Sequence, residues 1–232
     1  MNVVITGGSK GLGKAMAEKF AAAGNDLFLC ARNESKLKET QVSLQSSFPN
    51  SKIHIKKTDL SNTNELNEFA DWCLSFGNPG ILINNAGNFL QGNVYDEPDG
   101  YMEEMMQGNF FSAYHLTRKL LPAMISAGSG HIFNICSVAS LKAYKGGGSY
   151  SVSKYALLGF THNLREELKT KNIKVTAIIP GATYTDSWKQ SGLDESRFMQ
   201  DKDIAEMVFS ASQLSPAACV EEIILRPQLG DI

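Results

Sequence analysis

Short runs of β-branched and other apolar residues alternate along this chain with longer stretches whose apolar positions recur three and four apart. The short runs fall at 3–6, 27–30, 53–56, 81–84, 131–136, 175–179 and 223–225. Each is too short for a helix and mostly apolar on both faces, as expected of strands buried inside a parallel sheet. The longer stretches, at 14–23, 34–48, 65–76, 101–127, 149–171 and 203–214, carry the helical period. Ala23-Gly24-Asn25 places a glycine where a left-handed cap is wanted, Ser61 offers a cap to the third helix, and Pro180 stands behind the sixth strand. Strand alternating with helix implies right-handed crossovers and a parallel sheet covered on both faces. The prediction is an α/β, doubly wound single domain over 1–232, with about seven strands and no repeat or linker.

Composition narrows the function without naming it. At 43% hydrophobic and 20% charged residues the chain can build a core without staples, which excludes disordered, collagen-like and disulfide-miniprotein classes. With 22 Lys+Arg against 24 Asp+Glu, nothing in the charge recommends nucleic acid or an anionic membrane as partner. No apolar run approaches the roughly 20 residues of a membrane span. Cys30, Cys73, Cys136 and Cys219 form no C-x-x-C pair, and no basic-then-apolar leader precedes the first strand near Met1. The expectation is a reduced, cytoplasmic protein, in which the sequon Asn33-Glu34-Ser35 is a chance match. His54, His115, His131 and His162 show no metal-like spacing, so no metal is expected.

Doubly wound sheets bind ligands beyond the carboxyl ends of their strands, here 6–13, 31–35, 59–61, 84–91, 137–148 and 181–199. Thr6-Gly7-Gly8-Ser9-Lys10-Gly11-Leu12-Gly13 joins the first strand to the first helix. Glycines there admit a bulky anion to the backbone, and the helix start offers free N–H groups. A plain tight turn would explain one glycine; four between strand and helix favour a nucleotide. An NAD site would place Asp or Glu about 20 residues on, for the ribose diol. Here Arg32 stands 19 residues after Gly13, with Lys10 in the glycine loop, so a 2′-phosphate and NADP (NADPH) are favoured, NAD being the second choice.

Tyr150-Ser151-Val152-Ser153-Lys154 opens a helical stretch, and positions four apart share a helix face. An adjacent ammonium is expected to lower the pKa of the phenol. Ser137, 13 residues upstream, lies just past the fifth strand, and Asn109 interrupts an apolar stretch of the long helix. Alone, each has an ordinary structural explanation: a chance pair, a cap, a locally satisfied amide. Cys136 and the methionines at 102, 105 and 106 read as packing.

Together, TGGSKGLG, Asn84-Asn85-Ala86-Gly87, Asn109, Ser137, Tyr150-x-x-x-Lys154 and Pro180-Gly181 resemble, in order and spacing, the short-chain dehydrogenase/reductase family. The resemblance spans essentially the whole chain and implies a Rossmann fold and an NADP-preferring carbonyl reductase. It implies that Tyr150 is the general acid and base, that Ser137 polarises the carbonyl, and that Lys154 tunes the tyrosine and bonds the nicotinamide ribose. Asn109 would anchor a water that links Lys154 to solvent. The implied cofactor site is Thr6, Gly7, Ser9, Lys10, Gly11, Leu12, Gly13, Arg32, Asp59, Leu60, Asn85, Ala86, Gly87, Tyr150, Lys154, Pro180, Gly181 and Thr183. A homodimer or homotetramer pairing the helices of Asn109 and Tyr150 is implied as well.

The substrate expected is a small ketone or aldehyde and its alcohol, with Phe89, Tyr144, Trp188, Phe198 and Met199 around the pocket mouth and 182–200 as the substrate loop. That loop and 138–148 are candidate lids. A 3-oxoacyl thioester on a carrier protein, met by Lys142, Lys145 and Lys189, is the alternative. A non-catalytic dinucleotide sensor is a further one, which would need no Ser137–Tyr150–Lys154 set.

Overall fold

The β1 strand (Asn2–Thr6) shows why the apolar runs carry no polar alternation. Val3 and Ile5 point into one core and Val4 into the other, so both faces are buried. The same division holds in β2 (Asp26–Ala31) for Leu27 and Leu29 against Phe28 and Cys30, and in β4 (Pro79–Asn84) for Ile81 and Ile83 against Leu82. With β3 (Ile53–Lys57), β5 (Gly130–Ile135), β6 (Ile173–Pro180) and β7 (Glu222–Leu225) these form one seven-stranded parallel sheet, ordered β3-β2-β1-β4-β5-β6-β7. The computed structural model describes residues 1–185 and 192–232.

Helices α1 (Gly11–Ala22), α2 (Glu34–Ser47) and α7 (Asp201–Ser212) bring Met16, Phe20, Leu37, Leu44, Ile204 and Val208 to one face. The other face takes Leu66 and Phe69 of α3 (Thr63–Leu74), Leu116 and Leu120 of α5 (Ser112–Ala127), and Leu164 and Leu168 of α6 (Gly148–Leu168). A short α4 (Tyr101–Met106) runs into α5 through a π-helical turn, Gln107–Phe111. All seven expected strands are present, and Gly24 takes the expected left-handed conformation behind α1. Among the described residues, no helix is long and apolar enough to cross a membrane.

Two expectations are corrected. The long helix runs unbroken over 101–127 but is not uniform: the wide turn at Gln107–Phe111 breaks the 3.6 period, a register fault that a count of apolar positions does not see. The cap of α3 is Asn62, whose side chain accepts from the amides of Asn64 at 2.9 Å and Glu65 at 3.3 Å. Ser61 lies one position before the cap, and its hydroxyl donates to Asp59 at 2.7 Å.

His131 is buried in β5 and stacks on Phe133. The Thr176 hydroxyl donates to the Val220 carbonyl (2.6 Å), so it accepts from His131 Nε2 at 2.7 Å and fixes that nitrogen as the N–H. Burial, with the Lys174 charge nearby, pulls the imidazole pKa down to about 3. The unfolded chain takes up this proton near pH 6.5 and the folded chain does not, so stability held above pH 6.5 is lost as pH falls toward 3. His131→Gln is expected to remove about 2 kcal/mol of the loss between pH 6.5 and 5, read by urea unfolding at both pH values.

Candidate active site

The strand order reverses between β1 and β4, and there the ends of the two strands are tied together. The buried Thr6 hydroxyl accepts from the amides of Asn85 (2.9 Å) and Ala86 (2.8 Å) and contacts the Ile83 carbonyl at 3.4 Å. Asn85 Nδ2 donates back to the Thr6 carbonyl at 2.8 Å. These bonds hold the glycine loop against the segment after β4, as a crevice at a topological switch point requires.

A cavity of about 900 Å³ opens there. Gly7, Ser9, Lys10, Gly11, Leu12 and Gly13 line it from the first turn, Arg32 from the second, Asp59 and Leu60 from the third, and Asn85, Ala86 and Gly87 from the fourth. A Cβ on Gly13 would stand 2.2 Å from the Gly7 carbonyl oxygen, so only glycine lets the loop close this tightly. Helix α1 has no side-chain cap and no acid in its first turn, which suits its N–H groups to an anion supplied from outside. Lys10, Arg32 and Lys36 bring positive charge to the outer end. The Asp59 carboxylate nearby is committed to the Ser61 amide and hydroxyl, which hold its pKa below the usual range, with Arg32 adding to the effect. A glycine cradle, an uncapped helix start and three cations fit a phosphorylated dinucleotide. Thr6, Tyr150, Lys154, Pro180, Gly181 and Thr183 do not line this cavity: Thr6 braces the strand ends, and Thr183 donates its hydroxyl to the Gly181 carbonyl at 3.1 Å.

The chemical groups meet beside Gly87. A Cβ on Gly87 would come within 2.6 Å of Asn109 Oδ1 and 3.7 Å of Lys154 Nζ, so the cavity wall and the lysine are neighbours. The π-helical turn aims the Asn109 amide inward. There Oδ1 accepts from the Asn88 amide (2.8 Å), while Nδ2 donates to the Asn88 carbonyl and to Ser153 Oγ, both at 3.0 Å. Ser137, extended just past the end of β5, acts on the Tyr150 phenol through its hydroxyl, which works to lower the phenol's pKa.

Lys154 departs from expectation. Its ammonium donates to the Ile135 carbonyl at 2.9 Å and stands 5.9 Å from the centroid of the Tyr150 ring. Burial pushes the Tyr150 phenol up to about 12, opposed by the Ser137 hydroxyl, whereas the sequence predicts an adjacent cation lowering it. Burial also pulls the lysine down to about 8. A buried lysine turned to a backbone carbonyl and a partly buried phenol keep their neutral forms more readily than a contact ion pair would.

Around the mouth, Phe89 packs edge-on against the Tyr150 ring (centroids 4.9 Å apart), and Tyr144 is half exposed. Phe198 is buried against Tyr184, and Met199 packs on the core beneath α7, so both belong to the loop's own packing. Trp188 and Lys189, with the middle of the 182–200 loop, lie outside the described residues. Lys36, Asn88 and Thr185 line the cavity without having been singled out. Lys36 had a signal, its place in the first turn of α2 beside Arg32; the other two had none.

The short chain dehydrogenase family model matches residues 1–196. A sepiapterin reductase from Chlorobaculum tepidum is 31% identical, covering 99% of this chain and 97% of its own. A metagenomic short-chain oxidoreductase in complex with NADP is 28% identical with a TM-score of 0.87, covering 98% of this chain and 97% of its own. L-sorbose reductase from Gluconobacter frateurii, solved with NADPH and L-sorbose, is 27% identical with a TM-score of 0.87 over 97% and 94% of the two chains. Matched by the family model over residues 1–196 and 31% identical to a relative along nearly its full length, the chain belongs to the short chain dehydrogenase family.

Proposed function

We propose that this oxidoreductase is an NADP(H)-dependent carbonyl reductase in which Tyr150 delivers the proton. The observation that carries the reading is the placing of the Tyr150 ring beside the Lys154 ammonium, 5.9 Å from its centroid and next to Gly87 on the cavity wall, with the Ser137 hydroxyl acting on the phenol. NADPH, when bound, supplies a hydride to the carbonyl carbon. The phenol, pushed up to about 12, holds its proton at neutral pH and is poised as a donor to a carbonyl oxygen. Ser137 Oγ, itself accepting from the Ala139 amide at 3.2 Å, orients its hydroxyl toward the same oxygen. Lys154, which donates to the Ile135 carbonyl, would bond the nicotinamide ribose of a bound cofactor, and its charge would stabilise the phenolate left behind. Asn109 keeps Ser153 in register one residue before Lys154.

The glycine cradle takes the diphosphate, and Arg32, Lys10 and Lys36 take a 2′-phosphate, as NADP in the metagenomic relative and NADPH in the sorbose reductase support. Phe89 and Tyr144 favour an apolar or aromatic ketone or aldehyde. Exposed Phe111, Val152 and Tyr155 offer apolar surface for a second copy on the helices that carry Asn109 and Tyr150, as a homodimer or homotetramer.

A panel of ketones, aldehydes, diketones and 3-oxoacyl thioesters, followed by loss of NADPH absorbance, tests the activity. Tyr150→Phe is expected to lower kcat by roughly 10²–10⁴-fold while NADPH affinity stays within a few-fold; undiminished turnover rejects Tyr150 as the acid. Arg32→Ala with Lys36→Ala should weaken NADPH at least about ten-fold and leave NADH nearly unaffected, measured by fluorescence titration of both. Light scattering at micromolar concentration should return a dimer or tetramer, and a monomer would contradict the pairing.

A further inference from the structure

We propose that Glu97 is a positioning residue for the catalytic helix: its carboxylate, brought across from the segment after β4, caps the first turn of α6 and holds Tyr150 in place. The inference rests on the reading of Tyr150 as the proton donor. Helix α6 starts at Gly147–Gly148 with no side-chain cap and no acid in its first turn, so its leading N–H groups and positive dipole end lack a local partner. Glu97 supplies one. Its Oε2 accepts from the Ser149 amide at 3.1 Å, and its Oε1 takes the Ser149 hydroxyl in a short contact. Ser149 is buried and immediately precedes Tyr150.

The approach is built into the backbone. A Cβ on Gly148 would stand 2.5 Å from Glu97 Oε2 and 2.5 Å from the Gly92 carbonyl oxygen. A second latch lies beside the first: the Gly92 amide donates to the Gly146 carbonyl (3.1 Å), and the Gly146 amide donates to Asn93 Oδ1 (2.9 Å). At its other end the segment is pinned by Asn88 to Asn109, and Phe89 leans on the Tyr150 ring. Tyr150 is thus held between two fixed points of one connecting segment. Loss of the cap frees the first turn of α6 while the sheet and the cofactor cradle stay intact.

The test compares Glu97→Ala, Glu97→Gln and Ser149→Ala with wild type. Amide hydrogen exchange over residues 148–154 is expected to rise about ten-fold in Glu97→Ala, with strand amides unchanged. NADPH affinity should stay within two-fold. With 1-phenyl-1,2-propanedione as carbonyl probe, kcat should fall about ten-fold at nearly constant KM. Glu97→Gln, whose amide oxygen still accepts from the Ser149 N–H, should recover most of both effects. Exchange left unchanged, or raised uniformly through the fold, overturns the proposal. If Glu97→Ala does not fold, Ser149→Ala, which loses only a hydroxyl, decides it by the same local exchange readout at about three-fold. Wild type inert on every carbonyl compound would reject the catalytic reading, whereas the exchange contrast would still decide whether Glu97 holds Tyr150.

Discussion

One buried hydroxyl carries more of this architecture than its size suggests. Thr6 ends β1, an interior strand, at the point where the chain, having laid down β2 and β3 on one side, returns to place β4 on the other. Parallel neighbours there diverge into separate loops and leave backbone N–H groups with no strand to meet. By accepting two of them, Thr6 turns a divergence into a rigid corner. The glycine turn hangs from one side of that corner and the Asn85–Gly87 wall from the other. A slack corner would let those two walls part, and the anion cradle would lose its shape before any catalytic residue moved.

Beyond the corner, the site is assembled from segments that are weakly structured by themselves. The π-helical turn, the uncapped start of α6 and the stretch from Asn88 to Glu97 satisfy one another's polar groups: Asn109 with Asn88, Glu97 with Ser149, Asn93 with Gly146. Such reciprocal satisfaction replaces regular secondary structure at the reactive end, where irregular backbone is needed to aim side chains.

What was legible in the sequence follows from how local each signal is. The strands announced themselves because both faces of β1, β2 and β4 are buried, so apolar runs needed no partner to interpret. The glycine turn and the Tyr150–Lys154 spacing were legible because both are contiguous. The break at Gln107–Phe111 was not, since one extra residue in a turn changes no residue type. Nor was the state of the Tyr150 phenol: helix spacing brings Lys154 near the ring, but the Ile135 carbonyl, supplied by β5, decides where the ammonium points. Glu97 lay in a polar stretch with no periodicity, and its partner is 52 positions away. Contacts at that separation leave no trace in composition or period.

The wide turn at Gln107–Phe111 also sets how the chain tolerates changes in length. Because that turn holds one residue more than an α-turn, deleting a residue there would close it into ordinary helix and keep α4 and α5 in phase. Met105 would stay in the interior, while the Asn109 amide, aimed by the bulge, would leave Asn88. A one-residue deletion would therefore spare the helix and its core contacts and yet unmake this corner of the pocket.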